Sequence, residues 1–173
     1  LMKKYFFLFF FLFFFNNSFA EEKIVYLDVN ILLTESDAGK YINNELKIIN
    51  DKNIEEFKKV EKSLKSEEEN LLKQKNILKE EEFNNKLNNL REKYKSYQEL
   101  SKSKNNDLKL LRDNAGKQIL KIINEILAEY STKNKISLIM EKKNIVIGRT
   151  ELDITKNVLK ILNAKIKKVE LKK

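Results

Sequence analysis

The run F-K-K-V-E-K-S-L-K-S-E-E-E-N-L-L-K-Q-K-N-I-L, residues 57–78, decides the architecture. Phe57, Leu64, Leu71 and Leu78 recur every seven residues, and Val60 supplies an intervening three-step. Lys, Glu, Ser and Asn fill most of the remaining positions. Apolar recurrence at seven with charged flanks is the seam of a coiled coil, because two supercoiling helices turn only one stripe each toward the other. Upstream, Ile42, Leu46 and Ile49 keep the helical spacing. Downstream, Leu87, Tyr94, Leu108, Ala115 and Ile122 form one seven-residue series, with Leu90, Tyr97 and Leu111 as its companion.

Helix is therefore expected over residues 38–134, a stretch without proline. As a single rod it would be about 140 Å long, far beyond the usual helix of a small protein. The spacing instead predicts an antiparallel hairpin of two helices, each about 65–70 Å long. Its tip is expected at 80–89, where E-E-E-F-N-N (80–85) brings in asparagines, which favour turns. Ser101 and Lys104 on one limb, and Glu67 and Gln74 on the other, stand where the seam should be apolar. They predict a thinly packed, easily bent middle.

Outside this arm the period changes. K-I-V-Y-L-D-V at 23–29 is rich in β-branched and aromatic residues and reads as a strand, followed by a turn-like junction over 30–39. I-S-L-I-M (136–140) and I-V-I-G (145–148) read as two further strands, joined by a hairpin loop at 141–144. Asp153 or Thr155 would cap a last helix whose apolar face is Val158, Leu159, Ile161, Leu162 and Ile166. The expected organisation is a body from 21–37 and 135–164, an arm over 38–134 and a basic, frayed tail over 165–173. The fold class is α+β, mainly α, with a small β-sheet or barrel body and a projecting coiled-coil hairpin.

So small a body buries little core, and strands apolar on both faces need cover on both sides. The last helix would cover one face and further copies of the chain the other. Val25, Leu27, Leu138, Met140, Ile145 and Ile147 are the candidate oligomerisation residues.

Residues 1–20 are expected to be a cleaved secretory signal. Lys3 and Lys4 precede an eleven-residue apolar run, Tyr5 to Phe15, and Ser18 and Ala20 are small residues placed for a cut between Ala20 and Glu21. Eleven residues of helix reach only about 16 Å, too short to span a bilayer. Nine of the eleven phenylalanines lie in this segment, leaving Phe57 and Phe83 beyond it. Losing Lys3 and Lys4 would lower the formal net charge from +9 to +7. Eleven basic against four acidic residues fall in 135–173, whereas 36–134 mixes both signs. There is no Cys and no His, which rules out disulfides, zinc sites of the Cys/His kind and His-based proton transfer. No cofactor is expected, and neither a Gly-rich phosphate loop nor a nucleophile–base pair is visible. Nucleic acid is not expected as a partner, because the charge is spread and offset by acids.

The strand K-I-V-Y-L-D-V after a signal segment, running into N-I-L-L-T-E-S-D-A-G-K (30–40), resembles the start of the Skp/OmpH family. I-L-A-E-Y-S-T-K-N-K-I-S-L-I-M (126–140) resembles that family's return from helix to strand. Residues 141–152 resemble its β-hairpin, and D-I-T-K-N-V-L-K-I-L-N (153–163) its closing helix. The resemblance implies a periplasmic homotrimer whose strands form a small central barrel. Its three arms enclose a cavity that holds unfolded outer-membrane β-barrel proteins without ATP. No match to the family is visible at the arm tip.

On that reading the chain is a non-enzymatic holdase. Phe83, Tyr94 and Tyr97, with Lys86, Arg91, Lys93 and Lys95, are the candidate client contacts near the tip. The same basic residues would make weak contact with anionic membrane lipids. Individual exposed contacts of this kind are worth about 0.5–1 kcal/mol, so grip would come from number. The bland reading of Tyr94 and Tyr97 is seam packing, since both sit on heptad positions, and that of the Lys/Arg cluster is a solvated face. The alternative function is a structural or tethering coiled coil of the cell envelope, which would require a retained anchor or a wall-binding module.

Overall fold

The computed structural model describes residues 22–173; the expected signal segment and its Ala20–Glu21 cut lie outside the described residues. Strand β1 (Lys23–Leu27) leads into helices α1 (Val29–Glu35), α2 (Asp37–Lys73) and α3 (Glu80–Asn134). Strand β2 (Ile136–Glu141), two short 3-10 turns (Lys142–Asn144 and Thr150–Leu152) and helix α4 (Thr155–Lys165) follow.

The junction expected over 30–39 is largely helix. Asp28 ends the strand because its carboxylate accepts the Ile31 amide at 3.1 Å and caps α1. Ser36 then breaks the helix with extended backbone, and its hydroxyl accepts the Gly39 amide at 3.1 Å to start α2. Gly39 is obligatory there: a Cβ would lie 2.0 Å from the Leu33 carbonyl oxygen.

α2 has 37 residues and α3 has 55, so the limbs are unequal. The interruption is at 74–79, not 80–89. Glu80, Glu81 and Glu82 occupy the first turn of α3, where carboxylates meet the exposed amides and the positive end of the helix dipole. That preference outweighs the turn tendency of Asn84 and Asn85, which lie inside the helix. Contacts between α2 and α3 run in opposite senses. Lys104 meets Glu56, Tyr97 meets Glu61, Lys93 meets Glu67 and Lys86 meets Gln74.

Among the described residues the sheet has two strands and is not a barrel. β1 and β2 are parallel, with Ile24 beside Leu138 and Tyr26 beside Met140. A long helical excursion returns the chain in the same direction, which is what parallel pairing requires. The strand expected at 145–148 is absent, so residues 136–148 form no hairpin. The chain turns under the sheet at Gly148, packed against the Tyr26 ring, and Tyr26 donates to the Arg149 carbonyl at 3.2 Å. It reaches the other edge of β1 only at Asp153, where Ile154 donates to the Tyr26 carbonyl at 2.9 Å.

One core joins β1, all four helices and the residues after α4. The faces meeting there include Val25 and Leu27, Ile42 and Leu46, Ile119, Ile123 and Ile126, and Val158 and Leu162. The tail expected to fray is docked, and Val169 is buried in this core.

Candidate functional site

Two regions lie outside the main core: the far half of the α2–α3 arm and one edge of the body. In the arm, Leu64, Leu71 and Leu90 form a second, small buried cluster with Val60, Leu78, Phe83, Leu87, Tyr94 and Tyr97 packed around it. Polar side chains close it on the outside. Lys93 Nζ lies 2.6 Å from Glu67 Oε1. Tyr94 donates to Glu68 at 3.0 Å, and Tyr97 donates to Glu61. These acceptors hold both phenols protonated above their ordinary range, chiefly through the hydrogen bond itself. Phe57 meets the Tyr97 ring edge-on, 5.9 Å between centroids. Beside this seam run two shallow grooves. One, of about 530 Å³, is lined by Val60, Leu64, Tyr97 and Leu100 among others; the second, of about 450 Å³, lies near the tip between Leu71, Gln74, Asn85 and Lys86.

The seven residues expected to touch a partner are therefore not equivalent. Phe83, Tyr94 and Tyr97 are half-buried against the second cluster, as seam packing requires. Lys93 is taken up by Glu67, while Lys86 stands 3.5 Å from Glu82 and 3.4 Å from Gln74. Arg91 donates only to Asn88, at 3.4 Å. Lys95 is exposed and makes no ion pair among the described residues. Sequence reasoning missed the two most exposed apolar side chains of the arm. Ile77 is 80 % exposed and Leu72 60 %. Ile77 sits in the 74–79 turn, where its amide and that of Leu78 both donate to the Gln74 carbonyl at 3.0 Å, and lysines 73, 75 and 79 are close to it in sequence. The signal was the misplaced tip: once the turn is put at 74–79, K-Q-K-N-I-L-K reads as an apolar point in a basic collar.

On the body, Val25 and Leu27 are corrected. Both are buried in the chain's own core, because they lie on the strand faces covered by helices, so neither side chain is available to a second copy. Leu138 and Met140 are exposed, and Ile24, paired with Leu138, is exposed beside it. Ile145 is half-buried. Val146 and Ile147 are 99 % and 91 % exposed. Among the described residues no helix is long and apolar enough to cross a membrane, and no cluster of acidic residues is placed to hold a metal ion.

The family model described as "Outer membrane protein (OmpH-like)" matches residues 23–162 of the chain. No curated protein matches it significantly. Among solved structures, the chain is similar to one from Caulobacter crescentus CB15 described as a candidate outer membrane chaperone (OmpH-like). The TM-score is 0.78 at 18% identity, covering 87% of this chain and 89% of the other. At that identity the likeness is one of fold.

Proposed function

The chain belongs to the OmpH-like outer membrane protein family, and from that premise we propose that it is an ATP-independent holdase of the periplasm. On this reading it is not an enzyme. It binds unfolded outer-membrane β-barrel proteins between helical hairpin arms and keeps them from aggregating in transit. Copies of the chain, three by family resemblance, associate through the exposed Ile24, Leu138, Met140, Val146 and Ile147. Residues 1–20 serve as the export signal.

The observation that supports this best is the arm itself. Beyond the body core, α2 and α3 pack on the small Leu64–Leu71–Leu90 cluster and the side chains around it. Such a pair offers long mixed-charge surfaces with scattered apolar points, Leu72 and Ile77 foremost. Each contact is weak, so an unfolded chain held at many points is retained by avidity and each contact still exchanges quickly. Lys95 and Arg91 offer unpaired charge to acidic client stretches, and the lysines around Ile77 would favour weak contact with anionic lipid headgroups.

Diluting a urea-unfolded outer-membrane β-barrel protein into buffer with the purified chain tests the reading. Scattered light is expected to fall in proportion to added chain until a fixed ratio is reached. The double variant Leu72→Ser, Ile77→Ser should raise the amount needed by about threefold or more, since two exposed apolar contacts of about 0.5–1 kcal/mol are lost. Unchanged scattering at excess chain would reject the holdase.

A further inference from the structure

Ile166–Lys173, I-K-K-V-E-L-K-K, lies beyond the family match and has the composition of a solvated tail. Its placement is not that of a tail. The backbone leaves α4 extended at Ile166 and runs along the α2–α3 pair toward the arm. Gln118 Nε2 donates to the Glu170 carbonyl at 2.9 Å, and Asn114 Nδ2 to the Lys172 carbonyl at 3.3 Å. Lys173 pairs with Asp107. Contacts thus descend α3 from 118 to 107 as the segment advances from 170 to 173. Toward α2, the Lys168 ammonium stands 5.2 Å from the centre of the Tyr41 ring. Val169 is buried in the body core, with Ile166 and Leu171 against it.

The Lys173–Asp107 pair lies where the arm is weakest. The main core extends up the arm as far as Ile49 and Leu108, and the second cluster begins at Val60 and Tyr97. Between them Phe57 packs edge-on against Tyr97, and the other helix-facing positions are polar: Asn53 is buried on α2, and Ser101 and Lys104 lie on the facing limb. Two apolar blocks joined through polar side chains bend at the joint, because little burial opposes local opening there. Asp107 sits at the body side of that joint.

We infer that Ile166–Lys173 is a brace, which ties the base of the arm to the body and limits bending at the Asn53 joint. Its two amide-to-carbonyl contacts read only main chain, Val169 anchors it, and the Lys173–Asp107 pair fastens its end. The brace stands on the mechanics of the arm alone. If the proposed holdase holds, it would also set how wide the arms open.

Amide hydrogen exchange on the whole chain, compared with a chain stopped at Lys165, tests it without reference to client binding. Exchange over 50–57 and 101–107 is expected to quicken tenfold or more after removal, while amides around Leu64 and Leu90 keep their rates. In the whole chain, Lys173→Asp and Asp107→Lys should each quicken exchange at the joint by about two- to fivefold, as loss of an exposed pair allows. The double exchange of charges should restore the original rate. Should the shortened chain not fold, the charge series decides alone. Unchanged rates at the joint overturn the brace. So does an equal rise through α1, α4 and the tip cluster, which would make the segment ordinary core, or a double variant no slower than the singles.

Discussion

Asp153 ties the two ends of the body together. Its carboxylate accepts the Thr155 amide at 2.9 Å, the Thr155 hydroxyl and Lys142 Nζ at 3.1 Å. The Thr155 oxygen in turn accepts the Asp28 amide at 2.9 Å, so the end of β1, the start of α4 and the turn after β2 share one polar relay. Asp153→Ala should lower stability by about 1–2 kcal/mol in urea denaturation, the cost of leaving these donors without an acceptor. Burial pushes the Asp153 carboxyl up, but the Thr155 and Lys142 hydrogen bonds pull it down further, to a net value below the ordinary 3.8. A carboxyl lowered on folding contributes its full stability above 3.8 and loses it as pH falls through the folded value. The difference between parent and Asp153→Ala is therefore expected to hold at neutral pH and shrink in acid below 3.8. The D-I-T run points to Asp153 or Thr155 as the cap of α4; the cap position is instead Ile154, without a side-chain cap bond, and Asp153 holds the Thr155 amide from just outside the helix. Lys135, by contrast, ends α3 in the left-handed region, φ 52°, with no glycine to announce it. Lys135→Gly should raise stability by about 0.5–1 kcal/mol, because glycine adopts that conformation without a Cβ penalty. A lower midpoint in urea would contradict this.

At the scale of elements, the seven-residue spacing located Leu64, Leu71, Leu90, Leu111 and Ala115, all of which are buried. It failed beyond Ala115, where Ile119, Ile123 and Ile126 are the buried residues and Ile122 lies at the margin of the core. A heptad describes a helix with one partner. Inside the body α3 is covered by α1, α4 and the 166–173 segment as well, so a wider face is buried and the spacing follows the helix's own period. The 145–148 run failed differently. Its β-branched residues have strand character, but among the described residues Val146 and Ile147 pair with no strand and stay exposed. The segment 166–173 was hard to read because two of the contacts that hold it run from the Asn114 and Gln118 side chains to its own main-chain carbonyls, which no pattern within 166–173 encodes. Leu90→Ala tests the separation of the two apolar blocks. It should cost about 2–3 kcal/mol locally and quicken amide exchange over 60–97, while the body helices keep their protection. Loss of protection in α1 and α4 as well would mean that arm and body open as one unit.

For the whole molecule, the features left over after folding point outward. Ile24, Leu138, Val146 and Ile147 are exposed on the body, and Ile77, with lysines 73, 75 and 79 close in sequence, is exposed at the far turn of the arm. Neither is needed to fold the chain. The first would be covered by further copies and the second met by an unfolded chain, which is how one architecture would both assemble and hold a client. The mass of residues 21–173 by light scattering, alone and with an equal amount of unfolded outer-membrane β-barrel protein, tests both at once. Three copies alone, with a hydrodynamic radius well above that of a sphere of the same mass, and three copies plus one client after mixing are the predicted results. A single copy that leaves the client to aggregate would contradict the account.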